Sequence, residues 1–190
     1  MTSRDQLPAT LIPGDGIGPE ITAAVVDVLD ALGAPFAWDT QQGGMAALQE
    51  QGDPLPEATI ASIRRTRLAL KGPLTTPVGG GFRSVNVRLR EEFRLYANLR
   101  PIRTMLPGGR YDDIDLVLVR ENLEGLYVAF EHYIPIGDDP HAVAISSGVN
   151  TRAGSRRIAE YAFEYALRNG RNISRPRVGI PSDVGQWIHQ

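Results

Sequence analysis

Three arginines drawn from separate stretches of the chain, Arg90, Arg100 and Arg120, stand among residues suited to gripping a small polyanion. An arginine fork meets a carboxylate through two parallel N–H donors, and a hydroxyl-rich helix start adds further donors for an anion. Lys71, Thr75, Thr76, Ser84, Asn86, Arg90 and Arg100 fall on loops and a helix start rather than along one solvated helix face. Arg120 ends the apolar run Leu116 to Val119, at the strand end where open α/β sheets place ligand-binding groups, and Tyr127 follows in Arg120-Glu121-Asn122-Leu123-Glu124-Gly125-Leu126-Tyr127. Plainer readings compete. Arg83, Arg88, Arg90 and Arg94 can form a charged exterior with Glu91 and Glu92 as ion-pair partners, and for Arg88 and Arg94 that reading is preferred. Arg120 can be neutralised by Glu121 or Glu124, and spacing alone leaves both readings open.

A second motif, Gly14-Asp15-Gly16-Ile17-Gly18, invites a dinucleotide reading, but the third glycine of that fingerprint would fall where Pro19 stands. A tight strand-to-helix turn explains the glycines as well.

The elements that must position these groups can be read from periodicity. A strand over Ala9 to Ile12 runs into that turn, and Pro19 and Glu20 start a helix whose Ile21, Ala24, Val25, Val28, Leu29 and Leu32 form a core stripe closed by Gly33. A strand at Pro35 to Trp38, a short helix near Met45 to Gln51, a helix from about Glu57 to Arg65 and a buried strand at Arg67 to Leu70 follow. Gly72 to Phe82 holds four glycines and two prolines and is a loop delivering a helix that begins near Ser84, with Val85, Leu89 and Phe93 on its core face and Asn86 and Arg90 together on another. Tyr96 to Arg103 reads as extended or irregular, and Ile114 to Val119 as a strand buried on both faces. Ala142 to Ile145 is a further strand, and Thr151 caps a helix running to about Asn169, closed by Gly170. Alternating strands and helices argue for a layered α/β fold.

Composition excludes several classes of function. The 190 residues are 42% hydrophobic with a net charge of -2, so no basic surface for nucleic acid is evident. The absence of cysteine rules out disulfides, thiolate metal sites and thiol nucleophiles. No apolar run approaches the roughly 20 residues that span a bilayer, and Met1 to Leu7 is too short and polar for a signal peptide, which together give a cytoplasmic expectation.

Four motifs carry a resemblance. Leu11-Ile12-Pro13-Gly14-Asp15-Gly16-Ile17-Gly18-Pro19-Glu20, Lys71-Gly72-Pro73-Leu74-Thr75-Thr76-Pro77, Leu95-Tyr96-Ala97-Asn98-Leu99-Arg100-Pro101 and Arg120-Glu121-Asn122 with Tyr127 resemble, in order and spacing, the isocitrate and isopropylmalate dehydrogenase family from about Leu7 to Asn172. The resemblance implies that family's three-layer α/β/α fold, incomplete here and not a Rossmann fold, with 1–100 belonging to the large domain, 101–172 to the small or dimerisation domain and 173–190 a divergent tail. It implies oxidative decarboxylation of isocitrate to 2-oxoglutarate, a tricarboxylic acid cycle reaction, with NAD (NADP being the alternative) and Mg2+ or Mn2+. The site it implies has Ser84, Asn86, Arg90, Arg100 and Arg120 on the substrate, Thr76 and Ile17 near the nicotinamide, Lys71 near the substrate and Tyr127 as proton donor. Polar Ser84 and Asn86 stand where isopropylmalate enzymes carry apolar residues, which favours a third carboxylate. The alternatives are a homoisocitrate or 3-isopropylmalate dehydrogenase and, in another class, a non-catalytic tricarboxylate-binding or regulatory chain.

The resemblance stops near Asn172. The family's metal-binding aspartates, second catalytic lysine and adenosine loop lie further along, and Arg175 to Gln190 matches none of them. The expectation is therefore a truncated or frameshifted chain, or one completed by a second chain, inactive alone and prone to self-association, in a family of homo-oligomers, commonly dimers.

Overall fold

The computed structural model describes residues 6–75 and 84–173, and for 126–130 the backbone alone. The chain divides into two compact units, Met1–Leu89 and Arg90–Gln190.

In the first unit, strand β1 (Leu7–Ile12) is the middle of a three-stranded parallel sheet, flanked by β2 (Phe36–Thr40) and β3 (Ala69–Lys71). Parallel neighbours require helical crossovers, supplied by α1 (Gly18–Ala31) between β1 and β2 and by α2 (Met45–Gln51) and α3 (Glu57–Thr66) between β2 and β3. Ala9, Ile12, Ala47, Leu55, Ile60, Val85 and Leu89 form the buried apolar core. A strip of hydroxyls runs beside it. Thr10 Oγ1 lies 2.7 Å from Ser62 Oγ and 2.8 Å from Thr66 Oγ1, while Ser62 Oγ donates to Asp39 Oδ2 at 2.5 Å. Each of these buried groups therefore has a partner, and β1 is keyed to α3 by direction as well as by contact.

The expected helix exists, but its burial differs from the periodicity. Gly18 and Thr22 are the buried residues of α1, with Val26 and Leu29 partly buried, and Thr22 Oγ1 donates to Pro13 O at 3.0 Å. Ile21, Val25, Val28 and Leu32 are exposed among the described residues. The less exposed positions lie one residue round from the expected stripe. β3 is likewise an edge strand of three residues with Ala69 and Lys71 exposed, not the buried strand expected at Arg67 to Leu70.

Helix α4 (Val85–Glu92) starts where the loop expectation put it. Val85 and Leu89 are buried, while Phe93 falls beyond its end. Arg88 forks onto Asp53, Nη1 to Oδ1 at 2.5 Å and Nη2 to Oδ2 at 3.3 Å, so its exterior ion-pair reading is correct although the partner comes from a loop rather than from α4.

The second unit holds the antiparallel pair β4 (Ala97–Arg103) and β5 (Asp115–Glu121), the hairpin β6 (Gly125–Ile136) and β7 (Asp139–Val149), and helix α5 (Arg152–Arg168), which packs on β5. Thr151 caps α5, its Oγ1 accepting from Gly154 N at 3.0 Å. β5 is not buried on both faces: Leu116 is 45% and Leu118 38% exposed, whereas Val117 and Val119 are partly buried. One face meets α5, and no described element covers the other. The sequence reading found only the middle of β7 and missed β6, whose turn Gly137-Asp138, with Gly137 at φ 58°, has the residues that two-residue hairpins prefer.

Ile12 is buried, and a Cβ on Gly43 would stand 3.1 Å from its Cγ2. Ile12→Ala is expected to lower stability by about 2–5 kcal/mol, the usual cost of an aliphatic core truncation, read by urea denaturation; a loss below about 1 kcal/mol would show that this core is not closed.

Candidate active site

The β4–β5 register determines how the arginines meet. Asn98 pairs with Arg120, and Arg100 with Leu118. Paired residues share a face and every second residue returns to it, so Asn98, Arg100 and Arg120 all lie on the face away from α5, with the two arginines diagonal neighbours. Arg100 Nε donates to Asn98 Oδ1 at 3.2 Å, which orients that guanidinium beside the Arg120 position. Two fixed cations on one exposed ladder face concentrate positive potential where an anion would dock.

The other face is a brace. Glu121 Oε2 accepts from Leu123 N at 2.8 Å and Glu124 N at 2.7 Å, and its Oε1 from Arg157 at 3.3 Å. The Arg157 guanidinium lies 4.5 Å over the Tyr96 ring, which meets Tyr161 edge-on at 6.0 Å. Glu124 accepts from Thr151 N at 2.8 Å and Thr151 Oγ1 at 2.6 Å. Glu121 and Glu124 thus tie the turn after β5 to α5.

In the first unit, the glycine turn is bound to two distant segments. Gly14 and Gly16 have φ of 85° and 58°, which favours residues without a Cβ, and a Cβ on Gly14 would run into Pro73 O. Asp15 N donates to Pro73 O at 3.0 Å. Asp15 Oδ1 accepts from Thr75 N at 2.8 Å and Thr75 Oγ1 at 2.5 Å, and Oδ2 from Met45 N at 2.8 Å. Burial pushes the Asp15 carboxyl up, but these three hydrogen bonds and the Lys71 charge outweigh it, leaving the carboxyl below its ordinary 3.8.

Of the expected site residues, Lys71 ends β3 opposite Ile12 and donates from Nζ to Gly72 O at 2.7 Å. Ser84 directly precedes α4 and accepts from Arg88 N at 3.0 Å, and Asn86 and Arg90 lie one turn apart on α4. Arg90 is joined to the ladder through the turn in which Leu95 N donates to Arg90 O at 2.8 Å. Ile17 stands at the N-cap of α1, 67% exposed. Thr76 and the Tyr127 side chain lie outside the described residues, although the backbone around Tyr127 shows a register shift between Gly125 and Phe130. Sequence reasoning assigned no roles to Asp15 and Asn98 and gave Glu121 only as a partner of Arg120. An acid between two turn glycines and an Asn two residues before an Arg were the available signals.

Ile17 is an exposed apolar side chain on a braced turn, and among the described residues nothing stands within 4 Å of where a Gly16 Cβ would be, which leaves room for a flat ring. Among the described residues no group of three or more His, Asp or Glu could hold a metal ion, so these residues by themselves do not fit a divalent cation.

Comparison with known proteins agrees on an α/β oxidoreductase of the dehydrogenase kind. The chain belongs to the isocitrate/isopropylmalate dehydrogenase family, whose model matches residues 9–174. It is 47% identical over 164 residues to the probable isocitrate dehydrogenase [NAD] subunit alpha, mitochondrial, of Drosophila melanogaster, covering 85% of this chain and 42% of that protein. It is 44% identical to the chloroplastic 3-isopropylmalate dehydrogenase of Solanum tuberosum, covering 86% of this chain and 44% of that protein. The crystal structure of isocitrate dehydrogenase from Methylococcus capsulatus matches with a TM-score of 0.80 and 54% identity over 87% of this chain and 49% of that one. The chain thus spans about half the length of these relatives, and its fold is an incomplete α/β fold of their type. The cytoplasmic expectation does not stand, because NAD isocitrate dehydrogenase relatives from Drosophila melanogaster, Arabidopsis thaliana and Caenorhabditis elegans are named mitochondrial. It rested on the lack of an apolar run of bilayer-spanning length and on the short polar stretch Met1 to Leu7, and neither reports on organelles.

Asp15 and Asp53 both have lowered carboxyl pKa values, Asp53 through its Arg88 and Leu55 N–H bonds against the opposing effect of burial. A carboxyl lowered on folding stabilises the fold above its unfolded value near 3.8 and loses that contribution as pH falls through the folded value. Urea midpoints are expected to hold at neutral pH and fall below about pH 4, and Asp53→Asn should flatten that fall; an unchanged acid limb would contradict the assignment.

Proposed function

We propose that this chain supplies the carboxylate-binding part of an isocitrate dehydrogenase-type active site, which in the complete enzyme oxidises and decarboxylates isocitrate to 2-oxoglutarate with NAD. The single observation that carries the reading is the shared ladder face of Arg100, Arg120 and Asn98. A substrate bearing three carboxylates needs several fixed cations. Arg100 and Arg120 supply two on one rigid pair of strands, and Arg90 and Asn86 add a cation and an amide one turn apart on α4.

Roles follow from chemistry. The arginines hold the carboxylates, Ile17 and Thr76 bear on the nicotinamide, Lys71 acts near the substrate, and Tyr127 donates the proton that the decarboxylated product takes up. NAD accepts the hydride when bound, and a divalent cation, Mg2+ or Mn2+, is held by groups other than the described residues. Family membership and the NAD-type relatives support the reaction class. The working enzyme is an oligomer.

A second reading, 3-isopropylmalate dehydrogenase, is favoured by the Solanum tuberosum relative. Polar Ser84 and Asn86 weigh against it, since an alkyl substituent offers neither group a hydrogen bond.

The test completes the chain with the second half of the Methylococcus capsulatus relative. Replacing Ser84 and Asn86 by leucine is expected to lower kcat/KM for isocitrate about 100-fold relative to 3-isopropylmalate, the loss typical of unmatched polar groups. Unchanged preference would remove the isocitrate assignment. In the same enzyme Arg120→Gln should raise the isocitrate KM about 10- to 100-fold while leaving NADH binding alone, and an unaltered KM would take Arg120 out of the site.

A further inference from the structure

The glycine motif was open to two readings, phosphate turn or tight turn, and its acid belonged to neither. That acid is the hub of the first unit's loop side. One carboxylate takes three donors from two segments, Met45 lying 30 residues away and Thr75 lying 60 away. Glycines line the seam: a Cβ on Gly44 would strike the Asp15 carboxylate, and one on Gly14 would strike Pro73 O. Gly72 N completes it by donating to Ile12 O at 2.7 Å.

We propose that Asp15 is a positioning residue for the nicotinamide cofactor, clamping the segment that ends at Thr75 to the turn that carries Ile17. The inference rests on the functional reading above, in which Ile17 and Thr76 bear on the nicotinamide. In the sequence Ile17 stands two residues after Asp15 and Thr76 directly follows Thr75, so the Asp15 carboxylate ties the turn that leads into Ile17 to the residue that precedes Thr76. An amide does not substitute. Oδ1 takes two donors and Oδ2 takes a third, so Asn would aim an N–H at an N–H or O–H on one side. Simple bracing of the turn would not need the Thr75 hydroxyl, because the Asp15 N–H to Pro73 O bond already closes it.

The experiment measures NADH binding without any acid substrate, by calorimetry, and citrate binding separately, in the completed enzyme. Asp15→Asn is expected to weaken NADH about tenfold while citrate affinity stays within about twofold. Thr75→Val, which keeps both backbone donors and is the milder change should Asp15→Asn fail to fold, is expected to weaken NADH about threefold, with Thr75→Ser restoring it. NADH affinity indifferent to Thr75→Val, or NADH and citrate weakened in parallel by either variant, overturns the clamp and leaves the substrate reading intact. An unsubstituted protein that binds NADH but neither isocitrate nor citrate removes the substrate reading, while the Asp15 and Thr75 comparison still decides the clamp.

Discussion

The candidate site depends on a single alignment of two strands. Antiparallel strands return each side chain to the same face at every second residue, so pairing Asn98 with Arg120 puts Arg100 and Arg120 on one side and Val117, Val119 and Glu121 on the other. A slip of one residue would send Arg120 under α5 and bring Glu121 out. The register is held from the helix side, where Glu121 engages Arg157 and Arg157 covers Tyr96. Apolar burial and an ion pair on one face therefore determine what the opposite face offers to solvent. The exposed leucines of β5 are a by-product of the same alternation.

The first unit solves a different problem. Its parallel sheet needs long crossovers, and each crossover leaves a loop at the strand ends whose position is not dictated by ladder hydrogen bonds. Side chains supply what the ladder cannot. Within β1 the Thr10 hydroxyl, with those of Ser62 and Thr66, binds strand to helix. Beyond its end, Asp15 binds its own turn to two distant segments. Charge-assisted hydrogen bonds suit this task because they specify direction, which apolar contact does not.

Much of this was legible beforehand, for reasons that also explain the gaps. Helices announced themselves through caps and breakers: Pro19, Thr151 and the glycines after α1, α2 and α5 fell where the backbone turns. Exposure was harder to read, since apolar periodicity shows that a face is available to be buried and not what lies against it, and Ile21, Val25 and Val28 are the example. β6 escaped because Glu131, His132 and Pro135 interrupt any alternation in a ribbon with little to bury. Among the site residues, the arginines were recognisable from type and context, but the pairing that unites Arg100 with Arg120 spans 20 positions and exists only in the fold. Asp15 was hidden by its surroundings: between turn glycines an acid looks like a turn former, and its three partners are distant in sequence.

The join at Glu124 has a mechanical meaning. This side chain stands next to Gly125, the first residue of β6, and its carboxylate holds both polar groups of Thr151 at the start of α5, while Gly154 permits the close approach by having no Cβ to collide with it. Helix and ribbon are thus riveted at one point, three residues ahead of Tyr127. The first turn of α5 and the opening residue of β6 thus share one anchor, so the placement of the helix start and that of the ribbon start are set together.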